Sequence, residues 1–450
     1  MKREVKGYSV GCGNNQIDFS SGKQNNFMEK SLKREINLLN LTIYGVGIIV
    51  GAGIYALIGK AAGLAGNSVW MSFLFGAVLA SFTAMSYAEL SSMFPKSASE
   101  YHYIKNAFQS KIFGNIMCWA EIFVDLIACS TIVLAFAGYF SGFFNMPIVL
   151  ISIFLLILIA LINFSGIKGS MKIVVIHTLI EVGGLVVIVI LGLGSLGSVD
   201  YFEMPMGLGG VFSAAALIFF AFLGFEDIVN VAEETKSPRK TVPKAVVLSL
   251  IISTLFYVLV TLSVVSMSNW EMLSESEAPL AYALQNRFGL DVSNVIAVIA
   301  LFATAGTALV FAIAGSRMIY GLSEAGEIPK IFSRVNSKTR TPHVAILASG
   351  IISMIFVFLG DIKLVAEITN FFAFVVFILV NLSAIVLRYR KPEVKREFKS
   401  PLNIGKFPLL PFFGLLACFL MIYSLEIKSV LIGLLIFGAG IVVLRILRKE

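Results

Sequence analysis

The 450 residues are 58% hydrophobic and only 14% charged, whereas a soluble domain is nearer half apolar and a quarter charged. That balance, with a mean hydropathy of +0.89, leaves no material for a sizeable soluble domain. Four cysteines are too few for a disulfide scaffold.

Long apolar runs recur along the whole chain, each close to the ~20 residues a bilayer-spanning helix needs. They predict an all-α polytopic membrane protein with about 12 transmembrane helices, at roughly 39–59, 69–93, 113–142, 147–164, 172–196, 211–231, 243–267, 293–320, 343–359, 364–387, 408–425 and 428–447. With both termini inside, only Lys60, Arg287, Lys363 and Lys428 of the 35 Lys and Arg fall on the outside. The net charge of +8 therefore reports topology and contact with anionic lipid, as the positive-inside rule requires. The bilayer is the expected partner, and nucleic acid is not.

Residues 1–36 are polar and rich in Gly, Ser, Asn and Lys, without an apolar signal core, and read as a cytoplasmic tail. Span one then reads "YGVGIIVGAGIYALIG", with Gly45, Gly47, Gly51 and Gly53 inside an apolar run. Each glycine weakens a helix by roughly 0.5–1 kcal/mol relative to alanine. Two accounts compete. Small residues let helices pack closely, and Gly47 and Gly51 have the small-xxx-small spacing. Alternatively the helix breaks there, which hydrocarbon tolerates only where the freed backbone is buried in protein or lines a cavity. Unwound, the N–H groups of Gly51, Ala52 and Gly53 can receive an anion at the start of a half-helix. The carbonyls of Ile48 and Ile49 can receive a cation, so the two ends together suit a zwitterion.

Span six carries a matching interruption, "FFAFLGFEDIVNVAEETKSP", with Gly224 followed by Glu226 and Asp227. Two broken spans in corresponding positions point to an inverted-repeat transporter with its site near the midplane. The expected organisation is a tail over 1–36, a first five-helix repeat over 37–200, a second over 201–390, and two extra helices with a short C-terminal tail over 391–450.

Each ionisable residue inside a span costs at least ~2.5–3.5 kcal/mol on insertion scales and needs an account. Glu181 in span five either pairs structurally or serves ion coupling with Thr307 of span eight beside it. A carboxylate kept protonated there suits a proton site, and one left charged suits sodium with hydroxyl and carbonyl ligands. His177 lies four residues earlier on the same face, and its favoured reading is packing. Glu121 and Asp125 share a face of span three. Glu226 and Asp227 either meet a substrate side chain or hold the broken backbone by accepting orphan N–H groups. Glu89, Glu233, Glu234 and Arg317 lie at inner span ends, where ion pairs are worth little if exposed.

Four stretches in order resemble the amino acid–polyamine–organocation (APC) superfamily of secondary transporters: "LKREINLLNLTIYGVGIIVGAGIYALIG", "SYAELSSMFPKSASEYHYIKNAF", "FLGFEDIVNVAEETKSPRKTVPKA", and "LRYRKPEVKREFKSP" with the later "PLLP". The resemblance covers about 33–425. It implies a 5+5 inverted repeat with broken helices 1 and 6, alternating access, and amino acid substrates. It places the substrate carboxylate on the amides of Gly51, Ala52 and Gly53. The amine falls on the carbonyls of Ile49, Phe220 and Leu223, next to Gly224, with Phe220 closing over the substrate. Asp125, Glu226, Asp227 and Phe311 become candidate pocket or gate residues. The loop after span two departs from the family's Pro-x-Ser-Gly-Gly-x-Tyr, because Ala98 and Ser99 replace both glycines.

The expected function is a permease of the cell membrane, both termini cytoplasmic, moving neutral amino acids by proton symport. An amino acid/polyamine exchanger and a sodium-coupled carrier are the alternatives. No cofactor or metal is expected beyond the coupling proton or sodium. A membrane enzyme is disfavoured because no HExxH, Gly-x-Ser-x-Gly or phosphate loop occurs, and a channel because paired broken helices argue for alternating access.

Overall fold

A computed structural model describes residues 34–447, except 97–98, 166–170, 325, 327 and 340. The chain forms helices α1 (Leu38–Val50), α2 (Ala52–Ala65), α3 (Val69–Met93), α4 (Ser99–Phe108), α5 (Lys111–Ser141), α6 (Ile148–Ser165), α7 (Met171–Gly192) and α8 (Gly207–Ile218). These are followed by α9 (Pro238–Met267), α10 (Trp270–Glu275), α11 (Pro279–Phe288), α12 (Leu290–Glu324), α13 (His343–Val357), α14 (Ile362–Arg390), α15 (Leu409–Ser424) and α16 (Ile427–Leu447). Among the described residues sheet is confined to a two-stranded hairpin, β1 (Asn403–Ile404) and β2 (Phe407–Pro408), between α14 and α15.

Helix is found at every one of the twelve predicted spans. By length and hydropathy, eight stretches of the described residues qualify as membrane-crossing, or nine if α15 and α16, bent by 114°, count as one. The count is lower than twelve because Leu38–Met93 runs through α1, α2 and α3 as one stretch, and because α13 has only 15 residues. The protein is a multi-pass membrane protein. Its outward surface agrees: Leu150, Phe154, Leu158 and Leu161 of α6 are all exposed at helical spacing, a face that water would not tolerate.

Spans one and six cross antiparallel. At one end, Glu35 and Ile36 donate backbone N–H groups to Glu234 O at 3.0 and 3.1 Å, and Lys236 N donates to Ile36 O at 2.8 Å. At the other, a Cβ on Gly210 at the start of α8 would stand 2.2 Å from Leu64 O near the end of α2. Corresponding helices of the two halves also pack on each other: α3 on α9, α5 on α12, and α6 on α13. This self-pairing is what an inverted repeat produces.

Among the described residues three α-helices lie outside the predicted spans. The loop after span two carries α4, whose Ser99 donates its N–H to Asn230 Oδ1 at 3.2 Å and its hydroxyl to Val229 O at 3.3 Å, closing it onto span six. The segment between α9 and α12 folds into α10 and α11, which pack on α2.

Glu89 forms an ion pair at its span end, as expected, and the pair is buried. Glu89 is 1% exposed and takes Arg388 in a bidentate pair, Nε to Oε1 and Nη2 to Oε2, both 2.5 Å. Arg396 Nε adds 3.1 Å to Oε1, and Ser400 N donates to Oε2 at 2.9 Å. One carboxylate thus ties α3, α14 and the following loop. Breaking a buried pair from one side costs about 3–5 kcal/mol, while replacing both partners is often near neutral. Glu89→Ala should lower the thermal midpoint of the purified protein markedly, and Glu89→Gln combined with Arg388→Met should recover much of the loss.

Candidate substrate and coupling site

The first break is narrower than predicted. Only Gly51 leaves the helical region, at φ −32° and ψ −152°, and Ala52 and Gly53 already belong to α2. No side chain caps α2, so its first-turn N–H groups are without that partner and its positive end points into the break.

The glycines divide by role. A Cβ at Gly45 would meet Ser249 Oγ at 2.4 Å, one at Gly47 would meet Thr178 Oγ1 at 1.9 Å, and one at Gly53 would meet Ala221 Cα at 2.6 Å. These three permit close packing, as the small-residue account requires. Gly51 instead sits at the turn, its nearest foreign atom Thr307 Oγ1 at 3.1 Å from such a Cβ. Both competing accounts of the stretch therefore hold, at different positions.

The second break is longer. Beyond α8 the chain tightens into a 3₁₀ turn, Phe219–Phe222, extends at Leu223, and turns at Gly224 with φ +111°. A side chain is strained at that φ, and a Cβ would also strike Ile48 Cγ2 at 2.1 Å. The two breaks touch at this point. A second 3₁₀ run, Asp227–Glu234, completes the span.

Hydrogen bonds account for much of the freed backbone. Glu226 Oε2 accepts from Gly224 N at 2.9 Å, across its own break. Asn370 of α14 donates its amide to Ala216 O and Leu217 O at 2.8 and 2.9 Å, carbonyls at the end of α8. Tyr257 of α9 places its hydroxyl 2.5 Å from both Ile49 O and Ala221 O. A phenol carries one proton and donates to one carbonyl at a time. Tyr257 thus bridges the two breaks and engages one of the carbonyls expected to hold an amine. Sequence reasoning missed Tyr257 and Asn370, and the only available signal was a polar side chain inside an apolar span.

Glu181 is 1% exposed, and Thr307 Oγ1 donates to its Oε1 at 3.3 Å. Gly51, Thr307 and Glu181 therefore come together from spans one, eight and five. Tyr55 donates to the backbone O of Glu181 at 2.8 Å and Tyr139 to Tyr55 O at 3.0 Å, fixing α7 against α2 and α5. The His177 side chain lies outside the described residues.

Asp125, Glu226 and Asp227 form a second group, electrostatically coupled with Glu121 and with Glu100 of α4. A Cβ on Gly315 of α12 would lie 3.2 Å from Asp125 Cβ, which sets α5 tightly against α12. Among the described residues none of the five carboxylates has an ion-pair partner. No group of three or more His, Cys, Asp or Glu is arranged to hold a metal there or elsewhere among the described residues. Phe220 and Leu223 are buried at the break. The ring pairs around it are made by Phe219, Phe222, Phe225 and Tyr257, and neither Phe220 nor Phe311 forms one among the described residues.

The profile of the family described as amino acid permease matches residues 36–439. The chain belongs to the amino acid permease family, within the APC superfamily. The permease is 31% identical over 440 residues to a branched-chain amino acid permease of Bacillus subtilis, covering 91% of this chain and 93% of the relative. A methylthioribose transporter of the same organism is 28% identical, with 88% and 89% covered. Cationic amino acid transporter 4 of Mus musculus is 28% identical over 81% of this chain and 61% of its own length. The protein is accordingly a transporter and not an enzyme.

Two outcomes are expected from this geometry. Tyr257→Phe removes a hydroxyl from buried carbonyls, an orphaning worth about 1–3 kcal/mol; initial uptake by the reconstituted variant should fall about tenfold or more while the protein stays folded. Glu100, on the loop helix α4, has its carboxyl pushed from the ordinary 4.5 up to about 8, by burial above all, against a hydrogen bond from its own backbone and with the charge of Asp227 adding to the rise. The folded chain then holds a proton that the unfolded chain has released between those two values. Stability should therefore fall as pH rises through that window and level off above it. Thermal midpoints of Glu100→Gln measured across pH should show a flatter slope there.

Proposed function

We propose that the permease is a secondary carrier moving neutral amino acids by alternating access, in symport with protons, in the cell membrane with both termini cytoplasmic. The observation that carries this reading is the crossing of two broken helices at Ile48 and Gly224, with the side-chain-uncapped start of α2 beside it. The N–H groups of Ala52 and Gly53 suit the substrate carboxylate, and the carbonyls of Ile48, Phe220 and Leu223 suit its ammonium. Ile49 O would join them when the Tyr257 proton turns to Ala221 O.

Buried Phe220, Leu223 and Phe225 favour an apolar substrate side chain, in keeping with relatives named as branched-chain permeases in Bacillus subtilis and Lactococcus lactis. A cationic substrate is the second reading, favoured by the carboxylates of spans three and six, which have no ion-pair partner among the described residues, and by the relative named a cationic amino acid transporter. For coupling, Glu181 with Thr307 supplies a titratable group one residue contact from Gly51. A proton there would be linked to substrate through the turn that both share.

Purified protein in liposomes, free of sodium, should take up labelled leucine or valine faster with an inward proton gradient than without it. Glu181→Gln should lose gradient-driven accumulation while retaining exchange of pre-loaded substrate. Uptake indifferent to the gradient would discard proton symport. Uptake of arginine alone would favour the cationic reading.

A further inference from the structure

Where α14 ends at Arg390 the chain turns, forms the β1–β2 hairpin and re-enters the bundle as α15 at Leu409. A cavity of about 440 Å³ lies there, lined by Arg388, Lys395, Arg396, Lys399 and Lys406 against a single carboxylate, Glu393. Part of this charge is already neutralised, since Glu89 is shared by Arg388 and Arg396 and Glu397 holds Lys395. Lys399 and Lys406 have no ion-pair partner among the described residues.

An acceptor rich in oxygen and carrying negative charge fits this excess of cations.

The position selects the source of that acceptor. The cavity lies between the end of α14 and the start of α15, on the face the Lys/Arg asymmetry assigns to the cytoplasm. Beside it, Leu402 and Ile404 are 62% and 69% exposed. Basic residues next to outward apolar side chains are how a protein surface engages anionic lipid. We propose that this cavity binds the phosphate of an anionic phospholipid headgroup, with Lys399 and Lys406 around the phosphate and Leu402 and Ile404 towards the acyl chains. The site is separate from the substrate path and does not depend on which amino acid is carried.

The test uses the intact protein, purified in a neutral detergent and mixed with equal amounts of phosphatidylglycerol and phosphatidylcholine. Native mass spectrometry should show phosphatidylglycerol retained several-fold over phosphatidylcholine. Lys399→Gln combined with Lys406→Gln should bring retention close to parity, with an unchanged thermal midpoint in lipid-free detergent because both side chains lie outside the core. Equal retention of the two lipids by the unaltered protein, or an undiminished preference in the variant, would overturn the site. A parallel measurement replaces lipid with millimolar inorganic phosphate. A thermal shift from phosphate as large as that from phosphatidylglycerol, and lost in the variant, would make the ligand a soluble phosphate and overturn the lipid assignment.

Discussion

A helix opened inside a bilayer frees backbone N–H and C=O groups that no water can satisfy, and every feature near the centre of this bundle answers to that constraint. The break in span six is held by three side chains from different places: Glu226 on Gly224 N, Asn370 on Ala216 O and Leu217 O, and Tyr257 on Ala221 O. The break in span one is treated differently. Its carbonyl side meets Tyr257, while its N–H side, at the start of α2, receives no side-chain cap. An asymmetry of this kind leaves donors for an anion while covering the acceptors with a group that can turn away.

The same constraint explains why the glycines are distributed as they are. Holding two open backbones within reach of shared partners requires the spans to touch, and Gly53 against Ala221 and Gly224 against Ile48 are contacts that a side chain would prevent. Gly45 and Gly47 extend this closeness to α9 and α7, through Ser249 and Thr178. Antiparallel crossing then brings corresponding helices of the two halves onto each other. Groups of spans one, five and eight meet at Gly51, Thr307 and Glu181.

Apolar runs of membrane length and the paired interruptions were legible in the sequence because both are local signals, readable from adjacent residues. Gly224 could be placed at a turn, and Glu226 beside orphan N–H groups, for the same reason. The partners of the breaks were not legible. Tyr257 lies 208 residues from Ile49 and Asn370 lies 154 from Ala216, and neither carries a pattern that says which backbone it will meet. An ion pair could be expected of Glu89 at its span end, but neither its partner nor its burial, because Arg388 arrives 299 residues later. The loop helices α4, α10 and α11, of 10, 6 and 10 residues, are too short for their periodicity to stand out from polar loop sequence.

Charge is sorted within the bundle in a way that bears on how a carrier of this type can be built. Cations gather in the loops and at helix ends, and the carboxylates that meet them there, Glu89 above all, act as ties between elements. Near the broken spans, carboxylates of the described residues form two sets, buried or half-buried. Glu181 faces Thr307 and, through it, the Gly51 turn. The set of Glu100, Glu121, Asp125, Glu226 and Asp227 spans α4, α5 and the second half of span six, and repels itself. Like charges that share a low-dielectric space are held only if protons or a cationic ligand neutralise them, or if the elements carrying them separate. Three of these residues lie on elements that close one end of the crossing. The two sets meet the broken spans from different helices, so a proton or cation held by one would act on a different part of the crossing from one held by the other.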